Sequence, residues 1–222
     1  MKGISLFHVH NAQMVRHRSP SPLHDCKTRL HKELEIPDAD VDRVSGLLEF
    51  VHAKDENGKT PLHYACGATE DGGVAKMAVV AALIAAGPQE RDDVDDEGKT
   101  PLHYACSAGA GVDVVNALLN GSPNRAKKKD RYGKTPLHCI GRDTDLDVVS
   151  ALLQAAPNTA HKNDDRNRVP LHYACELRAS RMIVRALLAA APVAVLKMDS
   201  RQKTPIDIEK RREVITLLRG VA

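Results

Sequence analysis

Three pairs of residues have the types and spacing to hold a metal ion: His63 with Cys66, His103 with Cys106, and His172 with Cys175. A histidine and a cysteine three positions apart share one face of a helix, and both ligate zinc. Yet each pair sits inside the same recurring words, LHYAC, as scaffold residues would, and no CxxC pair occurs anywhere in the chain. The acidic run Glu90 to Glu97 has neither the ordered ligand spacing nor the central glycine of a calcium loop, and reads as a solvated turn. No GxSxG, HExxH or glycine-rich phosphate loop is present. The sequence therefore predicts no catalytic residue, no bound metal, no cofactor and no small-molecule substrate.

Composition narrows the elements that position these residues. Apolar residues make up 42% of the 222, but aromatics only 3%, with no Trp and two Phe. A core of Ala, Leu, Val and Ile suits thin layers of closely packed helices. The formal charge of +3 is too small to argue for nucleic acid. The five cysteines, Cys26, Cys66, Cys106, Cys139 and Cys175, are odd in number and scattered, which argues against a disulfide framework. The most apolar segment, Val79 to Ala86, falls far short of the roughly 20 residues of a membrane helix. Residues 1–10 contain no apolar run of signal-peptide length. The expectation is a protein of the cytosol or nucleus, monomeric and without a membrane partner.

One block recurs along the chain. Residues 55–66 read DENGKTPLHYAC, 95–106 DDEGKTPLHYAC, 130–140 DRYGKTPLHCI, 164–175 DDRNRVPLHYAC and 199–208 DSRQKTPIDI, with a weaker copy, SPLHDC, at 21–26. Aligned on the Thr of TPLH, units start near 21, 60, 100, 135, 169 and 204, at intervals of 39, 40, 35, 34 and 35 residues. A second block follows: MAVVAALI at 77–84, VDVVNALL at 112–119, LDVVSALL at 146–153 and RMIVRALL at 181–188. Pro88, Pro123, Pro157 and Pro192 each stand 12 residues before the next start.

Local chemistry assigns each part a shape. Thr before Pro starts a helix, because Thr can cap and Pro lacks an N–H that would be unpaired in the first turn. Val114, Val115, Leu118 and Leu119 make an apolar stripe on a second, longer helix. The downstream proline is expected to end that helix and send the chain outward in an extended return. Asp-x-x-Gly is turn chemistry, with Asn167 in the glycine's place at 164–168. Tyr64, Tyr104 and Tyr173 share one repeat position and are expected to pack with their hydroxyls at the surface.

A period near 33, with T-P-L-H opening a helix after D-x-x-G, resembles the ankyrin repeat. The resemblance covers residues 21–222 and implies an all-α solenoid, a stack of helix-turn-helix units joined by β-hairpin-like turns. It also implies that Thr60, His63, Thr100, His103, Thr135, His138 and His172 tie neighbouring units together, and that the cysteines replace a small buried alanine. Residues 1–20 read as an N-terminal arm or as the remnant of a preceding unit. The extra residues at 27–42 and 67–73 read as tolerated insertions, with a binding rim as the alternative. The last unit, with Lys210, Arg211, Arg212 and Glu213, has the polar character of a cap.

By the same resemblance the chain binds a protein through its turn tips and concave face. That reading selects Glu56, Asn57, Asp96, Glu97, Lys127, Arg131, Tyr132, Asp165 and Arg166, with Lys59, Lys99, Lys134 and Arg168 beside them. Arg131 and Tyr132 are the anchors, since Arg and Tyr are over-represented at interface hot spots. The acidic segment 90–97 and the basic segment 125–131 should lie side by side about 10 Å apart. They read either as mutual compensation or as a bipolar docking edge. The acidic turn disfavours nucleic acid. The alternative to a scaffold or adaptor is a regulatory portion of a larger enzyme or channel, or an effector that targets one.

Overall fold

The computed structural model describes residues 30–34, 41–67 and 77–220. The expected arm at 1–20, the start near 21, most of the 27–42 insertion and residues 68–73 of the second lie outside them. Among the described residues the regular structure is all helical, with no strand. Helix α1 (Val41–Ser45) is followed by pairs of helices. The first helices of the pairs are α2 (Pro61–Gly67), α4 (Pro101–Ser107), the 3-10 turn Pro136–His138, α7 (Pro170–Glu176) and α9 (Pro205–Ile208). The second helices are α3 (Met77–Ala86), α5 (Val112–Leu119), α6 (Leu146–Ala155), α8 (Arg181–Ala190) and α10 (Arg212–Arg219). First helices pack on first helices of the adjoining unit and second on second, so the chain forms two parallel rows.

The core follows from the repeated words. Leu62, Leu102, Leu137 and Leu171 of the PLH motif are at most 1% exposed. From the second helices come Val79, Val80 and Leu83, then Val114, Val115 and Leu118, then Val148, Val149 and Leu152, then Ile183, Val184 and Leu187. Leu119, expected in the same stripe, is only half-buried. Such a core is a chain of thin aliphatic layers, each completed only by its neighbours.

The prolines do not send the chain out extended. Pro88, Pro123, Pro157 and Pro192 each open a five-residue 3-10 helix: Pro88–Asp92, Pro123–Lys127, Pro157–His161 and Pro192–Leu196. The fixed φ of proline suits the first position of a helix as well as it prevents continuation of the previous one. Only the two or so residues after each 3-10 helix are extended before the turn.

The unit starting at Thr135 departs from the others. Its first helix is reduced to a 3-10 turn. Gly141 stands where Cys66, Cys106 and Cys175 continue the other helices, and its N–H donates to Thr144 Oγ1 at 2.9 Å. A residue of low helical propensity with an alternative acceptor ends the helix there.

Candidate functional site

Each turn is built around one aspartate. Asp95 Oδ1 accepts the backbone N–H groups of Glu97 and Lys99, both at 2.9 Å. The same pattern recurs at Asp55, Asp130, Asp164 and Asp199. A carboxylate that accepts two backbone donors fixes a turn without help from a sheet. Burial alone would raise the carboxyls of Asp55 and Asp199, yet hydrogen bonds, from the Tyr64 hydroxyl and the backbone at Asp55 and from the backbone at Asp199, hold them below the usual range. At the tip the backbone must turn left-handed. Gly133 does so at φ 75°, and a Cβ there would come 2.6 Å from Asp165 Oδ1 and 3.1 Å from Asp165 N. Asn167 occupies the equivalent place in the next turn at φ 59°.

The tyrosine hydroxyls differ from the sequence expectation. Tyr64, Tyr104 and Tyr173 donate to Oδ2 of Asp55, Asp95 and Asp164 at 2.6, 2.7 and 2.6 Å. The phenol thus closes the turn of its own unit instead of facing water. Burial and the adjoining carboxylate push the Tyr104 and Tyr173 hydroxyls well above their usual range.

Histidine joins one unit to the next. His103 Nδ1 accepts from Thr100 N–H at 3.1 Å, while its Nε2 lies 3.1 Å from Lys134 O. A backbone N–H can only donate and a carbonyl can only accept, so the ring is neutral with its proton on Nε2. His63 reaches Lys99 O, His138 reaches Lys162 O and Arg168 O, and His172 reaches Lys203 O in the same way. Thr60, Thr100 and Thr135 place their hydroxyls 2.9 Å from the same Nδ1 atoms. Val169 replaces Thr in the fifth copy and keeps only the backbone donor. Cys66, Cys106 and Cys175 are buried, with thiols pushed up by burial, in the case of Cys175 to about 12. Among the described residues no three His, Cys, Asp or Glu side chains converge as a metal site. A hollow on the second-helix side is lined by Asp113, Asn116, Gln154 and alanines.

The tips themselves are linked. Asp96 N–H donates to Asn57 O, Arg131 to Glu97 O, Asp165 to Tyr132 O and Ser200 to Arg166 O, at 2.8 to 3.0 Å. Glu56, Asn57, Asp96, Glu97, Arg131, Tyr132, Asp165 and Arg166 therefore stand along one edge in fixed register. Lys127 does not join them: it lies on the return 3-10 helix and donates to Asn124 Oδ1. Tyr132 is 47% exposed, with the Arg131 guanidinium 5.7 Å from its ring centre. Lys59 and Lys99 lie over the Tyr104 ring, and Lys134 and Arg168 over the Tyr173 ring.

The acidic segment is largely consumed within the stack, and so is the first cation of the basic one, whereas Lys127, Lys128, Lys129 and Arg131 remain exposed. Glu90 is 2% exposed and pairs with His52 at 2.6 Å. Asp93 pairs with Lys54, and Glu97 with Lys99. Arg125, read from sequence as part of a basic edge, is 7% exposed. It binds Asp92 at 2.7 Å and donates to Leu118 O and Asn120 O at the end of α5. Arg91 donates to Ala117 O and Asn120 O from the other side. Two guanidinium groups thus clasp the C-terminus of α5, where its free carbonyls and dipole favour cations. Neither arginine was selected from the sequence, and the signal was slight: a cation shortly after the second helix in two units only.

Cys139 occupies the tyrosine position of its unit, and Asp130 Oδ2 has no hydrogen-bond partner although Asp130 is 6% exposed. Elsewhere the histidine of one unit packs edge-on against the tyrosine of the next, His63 on Tyr104 at 5.6 Å and His138 on Tyr173 at 5.9 Å. His103 has no such ring to meet. The substitution C139Y is expected to supply both the missing donor and the missing ring, raising stability by about 1–2 kcal/mol. Urea unfolding of the two proteins checks this, and an unchanged or lower midpoint would show that the gap is not one a tyrosine can fill.

Comparison with the curated proteins finds no match. The family described as ankyrin repeats (3 copies) matches residues 32–128 and 107–196. That span is well over half of the chain, and it contains the turn aspartates Asp55, Asp95, Asp130 and Asp164, the PLH helices and the links from His63, His103 and His138 just described. The chain belongs to the ankyrin repeat family.

Proposed function

We propose that this chain is a non-catalytic scaffold or adaptor that binds a protein partner along its turn tips and first-helix face, anchored on Arg131 and Tyr132. Ankyrin repeats are generally protein-interaction modules. The observation that carries the finer reading is Tyr132. It is a large aromatic side chain left 47% exposed at the middle of a hydrogen-bonded edge, with a guanidinium beside it. Its backbone is held by Asp130 and by Asp165, so the side chain is presented from a rigid base. Presenting an anchor already ordered lowers the entropy lost on binding.

The test is the double substitution R131A/Y132A. Both side chains are exposed and the turn is held by backbone groups, so helical circular dichroism and melting point should stay within about 0.5 kcal/mol of the parent. Capture of the partner by affinity purification and mass spectrometry should fall by about thirtyfold or more, as for loss of a hot spot. Undiminished capture would remove Arg131 and Tyr132 from the interface.

A further inference from the structure

Charge is segregated along the stack. Residues 41–100 carry six Lys and Arg against twelve Asp and Glu, whereas residues 162–220 carry thirteen against seven. The excess in the C-terminal half is not neutralised internally. Its acids are mostly engaged in structure: Asp164 and Asp199 hold turns, Glu176 pairs with Arg168, Glu209 with Arg211, and Asp207 caps with Thr204. Among the described residues Arg131, Lys134, Arg166, Arg201 and Lys203 have no ion-pair partner. All five are exposed or half-exposed.

These five cations occupy recurring frame positions, at the tip and immediately before the TPLH threonine. The tip hydrogen bonds Arg131–Glu97, Asp165–Tyr132 and Ser200–Arg166 hold the positions in register. Successive units stand about 10 Å apart, the spacing of packed helices. A peptide in the extended polyproline II conformation advances about 3.1 Å per residue with three residues per turn, so every third residue returns to the same face and meets the next unit. We infer, building on the binding role proposed above, that the partner lays an extended acidic segment, with carboxylates three residues apart, along the basic edge formed by Arg131, Lys134, Arg166, Arg201 and Lys203. Tyr132 marks the end of that edge nearest the acidic units, where exposed Asp96 repels further carboxylates and limits the reach of the segment.

A nucleic acid fits this edge less well. Single strands rely on stacked aromatic platforms. Here Tyr173 already lies under Lys134 and Arg168, which leaves Tyr132 as the exposed ring of the edge.

The test uses the full chain and fluorescein-labelled peptides of about nine residues, with Glu or Lys at every third position and Pro or Ser between to favour the polyproline II conformation. Fluorescence anisotropy at low ionic strength should show binding of the Glu peptide and none of the Lys peptide. R166E/R201E should weaken the Glu peptide by about tenfold or more. R181E/R185E makes the same change in net charge on exposed residues of α8, in the second-helix row, and should change affinity by less than about threefold. Equal weakening by the two charge reversals would reduce the effect to net charge and overturn the inference. So would tighter binding of a single-stranded oligonucleotide of equal charge. If the Glu peptide fails while R131A/Y132A still abolishes partner capture, the acidic segment is wrong and the binding role stands.

Discussion

Lowering the pH from 7 to 5 should cost the protein stability through its buried histidines. Burial lowers the proton affinity of His138 from the ordinary 6.5 to about 4, against the opposing pull of Asp164 and of the Arg168 and Lys162 carbonyls. His63, His103 and His172 are lowered for the same first reason. Above pH 6.5 the histidines are neutral folded or unfolded, and their links are intact. Between 6.5 and 4 the unfolded chain binds protons that folded His138 refuses, so stability falls as pH falls through that window. For His138 alone the loss is about 2 kcal/mol at pH 5 and about 3 kcal/mol at pH 4. Forcing a proton onto Nδ1 also sets two donors face to face, since Thr135 N–H already points there at 3.0 Å. Chemical unfolding across pH 4 to 8 measures the effect, and a flat profile between pH 7 and 5 would show that the histidine links carry no proton-linked stability.

The second large effect is expected at Asp164. D164A removes the acceptor of Arg166 N–H, Arg168 N–H and Tyr173 O–H together. Tyr173 is 7% exposed, so its hydroxyl is left without water. The loss should be about 3–4 kcal/mol, from charge-assisted bonds and a stranded donor. D130A removes the same two backbone contacts but no tyrosine, and relieves a carboxylate oxygen that has no partner. It should cost about 1–2 kcal/mol. Comparable losses at the two positions would mean that the phenol adds nothing to the turn. Adding Y173F in a double-mutant cycle isolates that contribution.

The parts legible in the sequence were those whose partners lie at fixed short offsets. Thr, Pro, Leu and His stand within four residues, so their recurrence disclosed the helix starts, and periodic valine and leucine disclosed the second row. What escaped was chemistry between segments folded against each other. Tyr104 finds Asp95 nine residues upstream because the turn doubles back, so the hydroxyl expected at the surface is spent on the turn. Arg125 looked like one more charge in the run RAKKKDR, yet the 3-10 helix opened by Pro123 turns it under α5. That 3-10 helix was itself misread, because a proline that stops one helix can equally begin another. Of the candidate edge residues, Lys127 was displaced for the same reason. The reduced first helix at Pro136–His138 depended on Gly141, a single residue within an otherwise faithful copy.

The links between units have a mechanical consequence. On the turn side each junction between the units starting at 60, 100, 135, 169 and 204 carries a pair of directional bonds, one from histidine to a carbonyl of the next unit and one from the next tip back to the previous. Away from the Arg91 and Arg125 contacts at the end of α5, the second helices meet through aliphatic side chains, whose attraction is non-directional and tolerates sliding. Flexing of the stack is therefore expected to open and close the second-helix row like the leaves of a fan, pivoting on the turn edge. The pitch of the tips stays constant through that motion. The edge is expected to behave as the spine of the fan, a ruler whose graduations hold while the rest of the body bends.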